Sequence, residues 1–268
     1  MNILKIFKKK ESQKEEFGTS VAVSNQSVNE KTKNETMEEQ KKEQQVKSNT
    51  KTVKVYNLII LDQSGSMQSI YAPALSGVNE TLQTIRMAKE DHPDQEHFVT
   101  LVAFDGTPQE GLRYNVIYDS APATEIKDIT SAQYRPYGNT PLFDAMGKAI
   151  NELRDKTKEE DIVLVTIITD GYENASREYN GSAIKALVEE MRKKGWVFTY
   201  IGANQDVDKV AESIAINNRM AFCSTQEGTQ DMFMKENISR KKFFGKLSGL
   251  ASRSVSREDL EKDFFEDI

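Results

Sequence analysis

The chain has 268 residues, 37% of them hydrophobic, and a net charge of -6, which is enough for one full-sized core with polar flanking segments. That acidic balance argues against nucleic acid as a partner, because a phosphate backbone is engaged through clustered Lys and Arg. A single cysteine, Cys223, and two histidines, His92 and His97, leave no basis for an internal disulfide, a thiolate cluster or a histidine-rich centre, so any bound metal is expected to take oxygen ligands.

The sequence opens with MNILKIFKKK, whose four lysines together with Ile3, Leu4, Ile6 and Phe7 suit weak contact of residues 1–10 with an anionic membrane surface. Its apolar stretch is too short and interrupted for a secretion signal, and no run in the chain approaches the ~18 apolar residues of a membrane span. From Glu11 to Thr50 there is almost no large apolar side chain to offset the entropy of ordering, so residues 1–51 are expected to be a flexible Lys/Glu-rich tail. The expected location is cytoplasmic.

An ordered domain is expected over residues 52–248. It starts with the β-branched and aliphatic run TVKVYNLIIL, which has the content of a buried strand, and continues with Leu75, Val78, Leu82 and Ile85 at helical spacing. HFVTLVAF and RYNVIYD flank the turn-rich DGTPQEGL and predict an antiparallel hairpin. Beyond it, Leu142, Met146, Ile150 and Leu153 mark a helix, and DIVLVTIIT marks a buried strand. Ile184, Leu187, Val188 and Met191 form a helical stripe closed by Gly195. WVFTYIGA predicts a strand, Val207 to Ile214 a helix, MAFCST a short strand, and Asp231 to Lys242 a last helix. Residues 249–268 are expected to be an acidic C-terminal tail. Strands alternating with helices predict an α/β fold, a doubly wound and mainly parallel sheet with one antiparallel edge strand and helices on both faces.

Two of the buried runs, NLIILD and LVTIITD, end in aspartate, at Asp62 and Asp170. If the strands are parallel, both acids lie on the carboxyl edge of the sheet, where doubly wound folds open a crevice. Ser64 and Ser66 follow Asp62 at alternate positions. Thr140 stands just outside a helix that has Pro141 at its first position, and that helix also begins on this edge. Asp62, Ser64, Ser66, Thr140 and Asp170 are therefore expected to converge, and their two carboxylates and three hydroxyls suit a hard divalent cation such as Mg²⁺. Asp105 and Asp144 lie near the same edge and are expected to serve a turn and a helix surface.

The set D-x-S-x-S at Asp62, Ser64 and Ser66, with Thr140 and Asp170 in this order and context, resembles the metal-ion-dependent adhesion site of von Willebrand factor type A domains of the intracellular bacterial kind. The resemblance spans about Thr52 to Lys246. It implies Mg²⁺ bound by Ser64, Ser66 and Thr140, with Asp62 and Asp170 behind waters; Mn²⁺ and Ca²⁺ are alternative ions. It also implies a partner protein that supplies a Glu or Asp to the metal, within a cytosolic assembly and without catalysis. Two other readings stay open: a Mg²⁺-dependent phosphoryl hydrolase or transferase using Asp62 as nucleophile, and a metal-independent scaffold.

Overall fold

The computed structural model describes residues 52–251, 254–262 and 264–266; the expected tail and membrane contact of residues 1–51 lie outside them. In chain order the elements are β1 (Val53–Asp62), a 3-10 turn (Gly65–Ile70), α1 (Tyr71–Asp91), β2 (Gln95–Thr107), β3 (Gly111–Pro122), α2 (Leu142–Arg154) and β4 (Ile162–Thr169). There follow α3 (Gly181–Lys193), β5 (Val197–Gly202), α4 (Val207–Ser213), β6 (Asn218–Ala221), α5 (Gln226–Ala251) and α6 (Arg257–Glu261). No helix among the described residues is long and apolar enough to cross a membrane.

The six strands form one sheet in the order β3-β2-β1-β4-β5-β6. All neighbours are parallel except β2 and β3, whose antiparallel pairing puts β3 at an edge, as expected of the hairpin. The sequence accounts for the central position of β1 and β4. Every residue of β4 is buried, as are the last eight of β1, and a strand covered on both faces needs apolar side chains on both.

Alternation along β1 divides the core in two. Val55, Ile59 and Leu61 face α1, α5 and α6 on one side, while Tyr56, Leu58 and Ile60 face α2, α3 and α4 on the other. Asn57 takes the place of an apolar residue in the first set and meets a buried ionic group. Arg240 of α5, fully buried, donates to Asn57 Oδ1 and Thr166 Oγ1 at 2.9 Å each and to Glu236 Oε1 at 2.6 Å. Thr81 of α1 donates to the other Glu236 oxygen at 3.2 Å. The polar group thus has hydrogen-bond partners on three elements, as burial of charge requires.

Three expectations change at the C-terminal end. The helix expected over Asp231 to Lys242 runs from Gln226 to Ala251, and beyond Lys242 its buried face continues through Phe243, Phe244 and Leu247. The short strand begins at Asn218, ahead of MAFCST; the Asn218 side chain donates to Phe198 O and Glu261 O and joins the sheet edge to α6. The stretch expected as an acidic tail is partly core. Leu260 and Phe264 are buried, and the Phe264 ring lies 5.8 Å from that of Phe243, so apolar burial outweighs the local charge.

Candidate functional site at the carboxyl edge of the sheet

The pairing of β1 with β4 sets Leu61 opposite Ile168, so Asp62 and the Thr169–Asp170 pair leave adjacent strands at the same level. Asp62 is fully buried and both of its oxygens are engaged. Oδ1 accepts the Ser64 backbone N–H and Oδ2 accepts the Thr169 hydroxyl, each at 2.6 Å. Burial pushes this carboxyl up to about 7; the hydrogen bonds from Thr169 and Ser64 oppose the rise and the nearby Asp170 adds to it. Burial likewise raises Asp170, against hydrogen bonds from Ser66 and Ser224.

The hydroxyls gather beside these acids. Ser64 Oγ lies 3.1 Å from Ser66 Oγ, and Ser66 Oγ donates to Asp170 Oδ1 at 2.5 Å. The tight turn after β1 produces this convergence, because D-x-S-x-S folds back on its own first residue through the Ser64 N–H. Thr140 is also buried here, at 3% exposure, and its backbone exchanges hydrogen bonds with Asn174. Its hydroxyl has no hydrogen-bond partner among the described residues. A Cβ added to Gly171 would stand 3.6 Å from Ser66 Oγ and 3.7 Å from Thr140 Oγ1, so both hydroxyls border the same small space. All five residues singled out in the sequence therefore lie round one point.

Thr140 does not cap its helix. Pro141 occupies the cap position of α2 without a side-chain bond, and the free N–H groups of the first turn are taken up from the segment after β4. Glu173 Oε2 accepts from Phe143 N at 2.9 Å, and Ser176 Oγ accepts from Asp144 N at 3.0 Å. Asp144 returns the connection, accepting the backbone N–H groups of Arg177, Glu178 and Tyr179 at 2.7 to 2.8 Å. Asp144 is thus no surface residue but a buried clamp that fixes α2 against the loop carrying Asp170. Asp105 is corrected in the same way: it lies within β2, is buried, and accepts from Gln63 Nε2 at 3.0 Å and Arg113 Nε at 2.5 Å.

The sequence gives no warning of several supports. Tyr134, buried in an irregular segment, donates its hydroxyl to the Asp62 carbonyl at 3.0 Å and stacks on Tyr71 with ring centres 5.9 Å apart. Asn204 donates to the Asp170 carbonyl at 3.1 Å. Thr169 is the one support with a signal: it precedes Asp170 at the end of a strand, where alternation turns its side chain away from that of Asp170 and toward Asp62.

The donor set fits a hard divalent cation. Among the described residues there is no group of three or more His, Cys, Asp or Glu side chains able to hold a metal, so any ion at this edge would depend on hydroxyls, supplemented by Asp62 and Asp170. The Thr140 hydroxyl, which makes no hydrogen bond to another described residue, is the donor of this set left available to such an ion.

The mainly parallel sheet with its antiparallel edge, covered on both faces and bearing a polar site at its carboxyl edge, defines an α/β domain of the doubly wound class. A family model of the von Willebrand factor type A domain matches residues 58–235, and the chain belongs to that family. Domains of this family typically bind other proteins, in some cases through a metal. Among solved structures, a mutant of the PilB minor pilin from Streptococcus sanguinis is similar at 14% identity and a TM-score of 0.50, over 76% of this chain and 64% of that one. This chain thus spans under two thirds of the pilin's length. The manganese-loaded TRAP protein of Plasmodium vivax is similar at 16% identity and a TM-score of 0.45, over 70% of this chain and 74% of that one. A von Willebrand factor type A protein from Catenulispora acidiphila gives 16% and 0.41, over 68% and 42%. No curated protein sequence matches.

Proposed function

We propose that the chain is a divalent-metal-dependent protein-binding module working within a cytosolic assembly. Ser64, Ser66 and Thr140 would hold Mg²⁺ directly, and Asp62 and Asp170 would hold it through water. The bound ion supplies an electrophilic point that accepts a Glu or Asp side chain from a partner protein. The observation that carries this reading is the convergence of three hydroxyls and two buried carboxylates at one edge, with the Thr140 hydroxyl left without a protein partner. Because neutral donors predominate, an ion there keeps most of its charge for a further ligand.

Asp62 is poorly placed for nucleophilic catalysis. It is fully buried, and both of its oxygens are committed to Ser64 and Thr169, whereas an attacking carboxylate needs a free oxygen facing its substrate. Its arrangement suits an orienting acid, so no catalytic step is assigned.

The test has two parts, both on the full chain. Calorimetric titration with Mg²⁺ and Mn²⁺ should show one bound ion, lost in Ser64→Ala. Affinity capture with wild type and Asp62→Ala, in Mg²⁺ and in chelator, should retain a partner only for wild type with metal. A partner held equally by both proteins in chelator would remove the metal from the mechanism.

A further inference from the structure

Beside the proposed metal point an open groove of about 480 Å³ runs between the edge strand β3 and the segment leading to Thr140. Its lining includes Gln63, Asp105, Arg113, Arg135 and Tyr137. Gln63 joins groove and site: it lies between Asp62 and Ser64, its Nε2 donates to Asp105 at 3.0 Å, and its Oε1 accepts the Arg135 N–H at 3.2 Å. The two arginines differ in commitment. Arg113 neutralises the buried Asp105 and lies over the Tyr137 ring at 5.0 Å. Arg135 is exposed, its guanidinium donates only to the Ser131 carbonyl at 3.3 Å, and it forms no ion pair among the described residues. The groove therefore offers one uncompensated positive charge, next to an exposed aromatic face, in a chain whose net charge of -6 otherwise repels acids.

Resting on the metal-capture reading above, we propose that the partner segment is diacidic: one carboxylate completes the metal and a second binds Arg135 in this groove. The two acids lie on one short segment, separated by the few residues that an extended chain, advancing roughly 6.5 Å for every two, takes to pass from the metal point into the groove.

The inference is tested with the isotopically labelled full chain, followed by amide chemical shifts in saturating Mg²⁺. The probes are two short blocked glycine–serine peptides, one with a single glutamate and one with a second glutamate about three positions on. Both should shift the Ser64 and Gly171 amides, and only the second should also shift Arg135 and Tyr137, binding about fivefold more tightly. Arg135→Ala should remove that difference and leave the single-glutamate affinity unchanged. Equal affinities of both peptides for wild type, or an equal loss for both in Arg135→Ala, would overturn the second anchor while metal capture stands. If neither peptide produces a Mg²⁺-dependent shift, metal capture itself fails and this inference fails with it.

Discussion

Gly138 shows how narrowly the site is fitted at the scale of single residues. Its φ is +77°, and a Cβ there would meet the Gly106 carbonyl oxygen at 2.2 Å, while its own carbonyl accepts from Gly65 N at 2.9 Å. The residue thus pins the Thr140 segment between the turn after β1 and the end of β2. Gly138→Ala should cost roughly 2 kcal/mol of stability in thermal denaturation and weaken Mg²⁺ in calorimetric titration by about tenfold, because Thr140 would be displaced. His97 gives a pH prediction. Burial lowers its pKa to about 3, aided by the positive charge of His92, Arg240 and Lys89, and its ring nitrogens face Gln95 and Asn57. The folded value lies below the unfolded one of about 6.5, so the stability contribution is complete above pH 6.5 and is lost as pH falls toward 3. By pH 5 the loss is about 1–2 kcal/mol. Denaturation curves of wild type should fall more steeply with acid than those of His97→Gln; equal slopes would show that the ring does not titrate across this range. The placing of Asp62, Ser64, Ser66, Thr140 and Asp170 at one edge was legible in the sequence because each follows a strand or precedes a helix with a clear pattern. Tyr134 and Asn204 were not, since nothing local marks an irregular segment as buried or a loop asparagine as a support.

The connections between elements matter as much as the elements. The start of α2 has no cap of its own and is completed by Glu173 and Ser176, while Asp144 accepts three backbone N–H groups in return. Asp144→Ala would remove the partner of those three part-buried donors and should cost about 1–3 kcal/mol in chemical denaturation. Metal affinity should fall with it, because the same loop carries Asp170. A near-neutral result would mean that the loop finds water or other partners. Strands β1, β2, β3, β4 and β5 were legible because their apolar content is dense and their turns are polar. The C-terminal helices were less so. In α5 an Arg–Glu pair occupies the buried stripe, and α6 has a capping box at Ser256 and Asp259 that charge content conceals. Asp105 and Asp144 were misplaced for a related reason: a sequence records their charge but not the donors that the fold brings to them, side chains for Asp105 and backbone N–H groups for Asp144.

The molecule as a whole is tied together by the ionic group centred on Arg240. Its guanidinium joins α5 to β1 and β4 through Asn57 and Thr166, and Glu236 extends the connection to α1 through Thr81. Arg240→Met should destabilise by about 3–5 kcal/mol, since it strands the buried Glu236 charge, and adding Glu236→Leu should restore only part of this. Full restoration by the double variant would show that Asn57 and Thr166 find other partners. The fold class was legible from alternating patterns, but this long-range polar contact was not, because it joins residues 183 positions apart. The acid-bearing strands β1 and β4 are each zipped to a neighbour along both flanks. Their amides meet solvent deuterium mainly when the sheet parts, so the strands that carry Asp62 and Asp170 should be formed whether or not an ion is added. Deuterium uptake by Leu58–Leu61 and Val165–Ile168 should be equally slow with Mg²⁺ and with chelator, and any slowing on loading should be confined to the turns that follow them.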